Sequence, residues 1–307
     1  MRVKVARMAT TVRVRDVTPR DGLQGEQPAP APARAALAHA LADAGVPDVE
    51  FGAFVSPKAV PAMAGAHEVW NGVRGRDDVR WWALVPNGRG AQLAREVGVE
   101  RLTVTISSSE EYSMKNVGRS TDAAIAGLAE IAAAADGAAI DVVVSCVFGS
   151  PFGDVTDTDP TRRIVDRTLD VMGDASITLA DTTGTATPRR IDEVLAALDD
   201  VARERLGLHL HDTRGTALAN ALAALDAGVA RFDTAVGGLG GSPFAPGAGG
   251  NLATEDLVLV LHDLGHSTGI DLDALLALSA ELTELVGHAL PGRVIAAGRL
   301  PPFGAAR

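Results

Sequence analysis

The chain has 307 residues, 47% of them hydrophobic, a formal net charge of −11 and one cysteine, Cys146. That acidic balance, with no basic stripe to offset it, argues against a nucleic-acid partner; the lone cysteine excludes an internal disulfide or a cysteine-based zinc cluster and suits a reducing, cytoplasmic compartment. The longest apolar runs, such as residues 131–135, are too short to span a bilayer, and residues 1–7 are basic without an apolar h-region, so neither a membrane nor a secretory route is expected.

Taken in order, short β-rich runs alternate with alanine-rich stretches of helical periodicity. The first strand, 12–17, runs into Thr18-Pro-Arg-Asp-Gly22, and a helix is expected at 34–44. The second strand, 49–53, carries an acid, Glu50, in an apolar setting, and a third follows at 81–85 with a helix at 91–97. The fourth, 101–106, leads into a polar segment, 107–116, and a helix at 122–135. Strands at 140–146 and 176–180 enclose a helix at 161–172, preceded by Pro160, and Asp181 follows the sixth strand. A helix at 188–201 opens with Pro188, where proline is tolerated. The seventh strand, 207–211, contains His209 and His211; a helix at 217–227 and an eighth strand at 231–234 complete the alternation. A loop with seven glycines in fifteen positions, 237–251, ends at Asn251, and helices are expected at 254–264 and 272–288.

Eight strand–helix units imply a parallel sheet closed into an α/β (β/α)₈ TIM barrel. A single catalytic domain over 1–307 is expected, with the barrel over about 12–265 and a C-terminal helical cap over about 266–295. The alternative, a doubly wound open sheet, is weakened by the absence of a Gly-x-Gly-x-x-Gly turn after the first strand. In a barrel the chemistry sits at the C-terminal ends of strands, which is where Arg20, Asp21, residues 107–116, Asp181, His209, His211 and the glycine loop fall.

Residues two apart on a strand share a face, so His209 and His211 place two imidazoles together. With Asp21 and Asn251 they form a nitrogen–oxygen set suited to Mg²⁺ or Mn²⁺, with positions left for a chelating hydroxyl and carbonyl. Arg20, beside Asp21, can stabilise an enolate or carboxylate oxygen. Glu50 can orient Arg20 or act as a base, and Asp181 can support a histidine. The glycine density of 237–251 suits a lid over substrate.

Thr18-Pro-Arg-Asp-Gly-Leu-Gln24, Ala53-Phe-Val-Ser-Pro-Lys58, His209-Leu-His-Asp-Thr213 and Gly247-Ala-Gly-Gly-Asn-Leu-Ala-Thr-Glu-Asp256 together resemble the 3-hydroxy-3-methylglutaryl-CoA (HMG-CoA) lyases. These belong to the metal-dependent TIM-barrel lyases and Claisen condensing enzymes, and the likeness runs from about residue 12 to 268. The resemblance implies cleavage of HMG-CoA to acetyl-CoA and acetoacetate with Mg²⁺ or Mn²⁺, as in leucine degradation. It implies metal binding by Asp21, His209, His211 and Asn251, enolate stabilisation by Arg20, and support from Glu50. Candidate substrate contacts are Arg20, Gln24, Ser56, Lys58 and Asn116, with Lys58 and Lys115 as possible meeting points for CoA phosphates. The expected partner is an acyl-CoA molecule, and the chain is expected to form a homodimer or higher homo-oligomer. Two departures stand out: Gln27 replaces a frequent lysine, and Ser242 stands where the family's mobile loop usually carries a cysteine. A serine hydroxyl is a far weaker acid than a thiol, so Ser242 is expected to position or weakly relay a proton. Alternatives are a lyase for another 3-hydroxyacyl-CoA, a condensing enzyme joining acetyl-CoA to a 2-oxo acid, and a CoA-ester-binding barrel without turnover.

Overall fold

A computed structural model describes residues 10–241 and 249–298. Its strands are β1 (Arg13–Asp16), β2 (Asp48–Ala53), β3 (Arg80–Leu84), β4 (Arg101–Ser107), β5 (Ala139–Ser145), β6 (Ser176–Asp181), β7 (Leu206–Leu210) and β8 (Arg231–Thr234). All neighbours pair in parallel, and β8 returns to β1 with Asp16 opposite Thr234, closing the barrel. The outer ring comprises α1 (Ala31–Asp43), α2 (Ala66–Val73), α3 (Gly88–Glu96), α4 (Glu110–Val117), α5 (Thr121–Ala126), α6 (Leu128–Ala135), α7 (Asp159–Val171), α8 (Pro188–Ala197), α9 (Ala217–Asp226) and α10 (Thr254–Asp263), followed by α11 (Leu272–Val286) and α12 (Arg293–Ala297). No described helix is long and apolar enough to cross a membrane.

The expected eight-unit alternation is present, with four differences. Helix α2 was not anticipated: it spans eight residues, contains Gly72, and buries only Ala66, Val69, Trp70 and Val73. Glycine lowers helix propensity, and so short a stripe gives little periodicity to read. Segment 107–116 is not all loop, because Ser109 caps α4 by accepting from Tyr112 N at 3.0 Å. The expected helix at 122–135 is interrupted at Gly127 into α5 and α6, and the one expected to reach 201 ends at Ala197.

Most strands alternate between an apolar outer face and a largely polar inner one, with Trp82 on β3 and Val143 on β5 as inward apolar exceptions. Val49, Phe51, Leu102, Val142, Val144, Ile177, Leu179, Leu206, Leu208 and Leu210 are fully buried against the helices. The opposite positions point into the barrel, as contacts between non-neighbouring strands require. Arg15 on β1 reaches Asp141 on β5 at 2.8 Å, Arg231 on β8 reaches Asp141 at 3.0 Å, and Glu50 on β2 accepts from Thr103 on β4. At the floor, Asp48 accepts paired bonds from Arg13 (2.6 and 2.6 Å) and Arg80 (2.9 and 2.7 Å), plus Trp82 Nε1 at 2.8 Å. Most TIM barrels fill this space with branched apolar side chains. Here ions fill it, and each is matched by an opposite charge, the condition under which buried ions are tolerated. Gly207 on β7 makes room for this lattice: a Cβ there would lie 2.8 Å from Arg231 Cζ.

Candidate metal centre at the barrel mouth

The polar interior rises to a cluster at the C-terminal rim. After β1 the chain does not form an ordinary turn. Val17 O accepts from the amides of Arg20, Asp21 and Gly22 at 3.1, 2.8 and 3.1 Å, closing a π-helical turn, Thr18–Gly22. Asp16 holds its entry by accepting from Thr18 N at 2.8 Å, and Thr18 Oγ1 accepts from Val236 N at 2.8 Å. Thr254 Oγ1 donates to the second oxygen of Asp16 at 2.7 Å. Burial pushes the Asp16 carboxyl up to about 6 despite these bonds. This lock ties the β1 turn to the segments following β8.

Asp21, His209 and His211 each place a potential ligand atom within 4.8 Å of the others. His211 lies one residue past β7, not within it, and is held by a bridge to Asn251. The rings nonetheless share one side, with their Nε2 atoms 3.1 Å apart. Two imidazole lone pairs aimed at one point repel unless a proton or a cation lies between them. Burial and neighbouring His209 push the His211 imidazole down to about 4, so it stays neutral, the form that binds metals. Burial alone would raise the Asp21 carboxyl, but Arg20 and the two histidines hold it well below the usual carboxylate range.

Asn251 completes the set. Its Nδ2 donates to Asp21 Oδ2 and to Leu239 O, both at 2.8 Å, while its Oδ1 is a buried acceptor with no hydrogen-bond partner among the described residues. A buried orphan acceptor costs about 1–3 kcal/mol, so this oxygen favours a donor or cation. Gly240 permits the approach: at φ +97° it sits where a Cβ would lie 2.5 Å from Asn251 Nδ2. Two imidazoles, a carboxylate and an amide oxygen fit a six-coordinate divalent ion with two positions for substrate.

Arg20 is braced on two edges. Its Nε donates to Glu50 and its Nη1 to Asp21 Oδ1 at 2.6 Å, and among the described residues Nη2 forms no hydrogen bond. That free edge is the one an oxyanion can take. Glu50 is fully buried and also accepts from Thr103, an arrangement that fits the orienting role of the two anticipated.

Other expected residues are placed differently. Asp181 accepts from the amides of Thr185 and Ala186 at 2.8 and 3.0 Å, and shapes the loop after β6. The carboxylate facing a histidine is instead that of Asp233, 3.3 Å from His209 Nδ1 and in register with His209 on the neighbouring strand. The Asp233 carboxyl, which burial would raise, is held low by Arg15 and His209. Asp233 was missed although Arg231-Phe-Asp233 alternates charge with an apolar residue, the signal of an inward-facing acid. Gln24, Ser56, Lys58 and Asn116 are exposed, Asn116 on α4. Lys115 lies over the Phe152 ring at 3.9 Å. Ser242 lies outside the described residues, and Cys146, buried just past β5 in a small cluster with Tyr112 and Val155, has its thiol pushed up to about 12 by burial.

The HMGL-like family pattern matches residues 11–282. The chain is 41% identical to the hydroxymethylglutaryl-CoA lyase of Pseudomonas mevalonii over 285 residues, covering 91% of this chain and 93% of that one. It is 39% identical to the (R)-citramalyl-CoA lyase of Chloroflexus aurantiacus over 305 residues, covering 95% and 96%. The fold superposes with a TM-score of 0.91 on an Acinetobacter baumannii HMG-CoA lyase solved with coenzyme A and 3-methylmalate, at 37% identity and full coverage of both chains.

Proposed function

The chain belongs to the HMGL-like family, and from that premise we propose that it is a divalent-metal-dependent carbon–carbon lyase that cleaves HMG-CoA, or a close analogue, to acetyl-CoA and acetoacetate. One observation supports this above the others: Asp21, His209 and His211 converge within 4.8 Å beside a guanidinium with one free edge. The cation would be held by Asp21, His209, His211 and Asn251. Bound there, Mg²⁺ or Mn²⁺ polarises a substrate oxygen and makes the 3-hydroxyl easier to deprotonate.

The chain's own groups account for the remaining steps. The substrate's 3-hydroxyl gives its proton to a base in the cluster, for which the Asp21 carboxylate is the available group, the lone pair of His209 being kept for the cation. The C2–C3 bond then breaks, its electron pair passing to the thioester as an enolate while C3 becomes the ketone of acetoacetate. Arg20 Nη2 meets the enolate oxygen, and Glu50 keeps the guanidinium in register for it. A proton returned to C2 completes acetyl-CoA. Ser242 stands where the family's proton-transfer cysteine is expected, as a positioning or weakly relaying hydroxyl.

The test is direct. Purified protein incubated with HMG-CoA and Mg²⁺ or Mn²⁺ should release acetoacetate, and Ser242→Cys should raise that rate. No acetoacetate from either protein under any metal condition would remove HMG-CoA as substrate. A second reading is favoured by the citramalyl-CoA lyase relative and by Ser242: the same bond cleavage on a different 3-hydroxyacyl-CoA. Citramalyl-CoA cleaved faster than HMG-CoA would select it.

A further inference from the structure

The charged lattice inside the barrel is not only a filler, because it ends on the metal cluster. Asp233 lies between the two. Its Oδ1 accepts from Arg15 Nε at 2.9 Å, and its Oδ2 accepts from Arg15 Nη2 at 2.7 Å while facing His209 Nδ1 at 3.3 Å. Arg15 is only 3% exposed and cannot swing away. Its Nη2 also lies 2.8 Å from Asp141 Oδ2, and its guanidinium carbon sits 5.2 Å from the Trp82 ring centroid. Asp141 is anchored in turn by Thr178 at 2.7 Å, Ser176 at 2.8 Å and Arg231 at 3.0 Å. The β1 guanidinium is therefore clamped from the opposite wall of the barrel.

From this geometry we infer that Arg15 is a positioning residue for the metal centre, acting through Asp233 on His209. The planar fork of Arg15 fixes both oxygens of Asp233, so one lone pair is always directed at His209 Nδ1. A proton on Nδ1 is thereby favoured, and Nε2, the nitrogen that faces His211, keeps its lone pair for the cation. Without Arg15, Asp233 is free to rotate and the ring is free to exchange tautomers. The same change leaves two buried carboxylates, Asp141 and Asp233, sharing one fewer cation. Both side chains are buried beneath the ligands, so the effect is on how well the ligand is preset.

This inference rests on the reading of Asp21, His209, His211 and Asn251 as metal ligands, and the experiment separates the two. Mn²⁺ alone is titrated into native protein and Arg15→Met by calorimetry, and the His209 ring nitrogens are read by ¹⁵N NMR in the metal-free proteins. Outer partners of metal ligands are worth about 10–100-fold in affinity, so a partner one residue further out should cost about tenfold. The expected result is a Kd about tenfold higher in Arg15→Met, with the single Nδ1–H tautomer of the native protein replaced by a mixture. Arg15→Lys, which retains the charge but not the fork, is expected between the two and serves as the deciding variant if Arg15→Met does not fold. A folded variant that binds Mn²⁺ within twofold of native and keeps one tautomer overturns the role of Arg15, whatever its melting temperature. Failure of the native protein itself to bind Mn²⁺ overturns the metal centre instead.

Discussion

Arg20→Met is expected to lower kcat by about 10²–10³-fold while leaving Mn²⁺ binding intact or slightly tighter. The magnitude follows from what one preorganised oxyanion donor contributes, about 3–4 kcal/mol in a site shielded from water. The sign of the metal effect follows from charge: removing a guanidinium 2.6 Å from Asp21 removes a cation that competes for that carboxylate. The substitution also leaves Glu50 buried without its ionic partner, and breaking a buried pair costs about 3–5 kcal/mol. Turnover must therefore be measured well below the variant's melting temperature, with Mn²⁺ titration as the check that the site is formed. A folded Arg20→Met that binds Mn²⁺ and retains kcat within a few-fold of native would remove Arg20 from the chemistry.

Asp21→Asn should abolish acetoacetate formation and weaken Mn²⁺ binding by more than 100-fold. The side chain keeps its shape, so packing changes little, but the only formal anion among the four proposed ligands is lost. Outer partners of metal ligands account for about 10–100-fold, and a charged ligand must exceed that. EDTA treatment of native protein should produce the same loss of turnover, restored by Mg²⁺ or Mn²⁺. Native-like Mn²⁺ affinity in Asp21→Asn, or lyase activity that resists EDTA, would contradict the assignment.

Much of the architecture was legible because barrel units repeat a local pattern. Leu206-Gly-Leu-His-Leu210 alternates apolar and other residues, and Pro188 after the capping Thr187 marks a helix start. The helices that were missed carry little local signal: α2 is short and contains a glycine, α4 buries only Tyr112 and Ser113, and α12 has five residues and buries only Val294. The two histidines were readable from their spacing, and Asp21 and Asn251 from their positions at loop ends. Arg13, Arg15, Asp48, Asp141, Arg231 and Asp233 were not singled out, although charges recur at alternate positions of strands that a parallel barrel buries on both faces.

What the chain determined by itself is the order of elements and the identity of the candidate ligands, since both depend on periodicities of two and 3.6 residues and on the chemistry of side chains near strand ends. Which groups meet was decided by closure of the barrel. Asp181 and Asp233 both occupy strand ends or interiors and look alike in sequence, yet one shapes a loop and the other faces His209. Register across β7 and β8 places Asp233 beside His209, and the diameter of an eight-stranded barrel brings Arg15 to Asp141 on the far wall. Such meetings join residues from 24 to more than a hundred positions apart, so no local pattern in the chain encodes them.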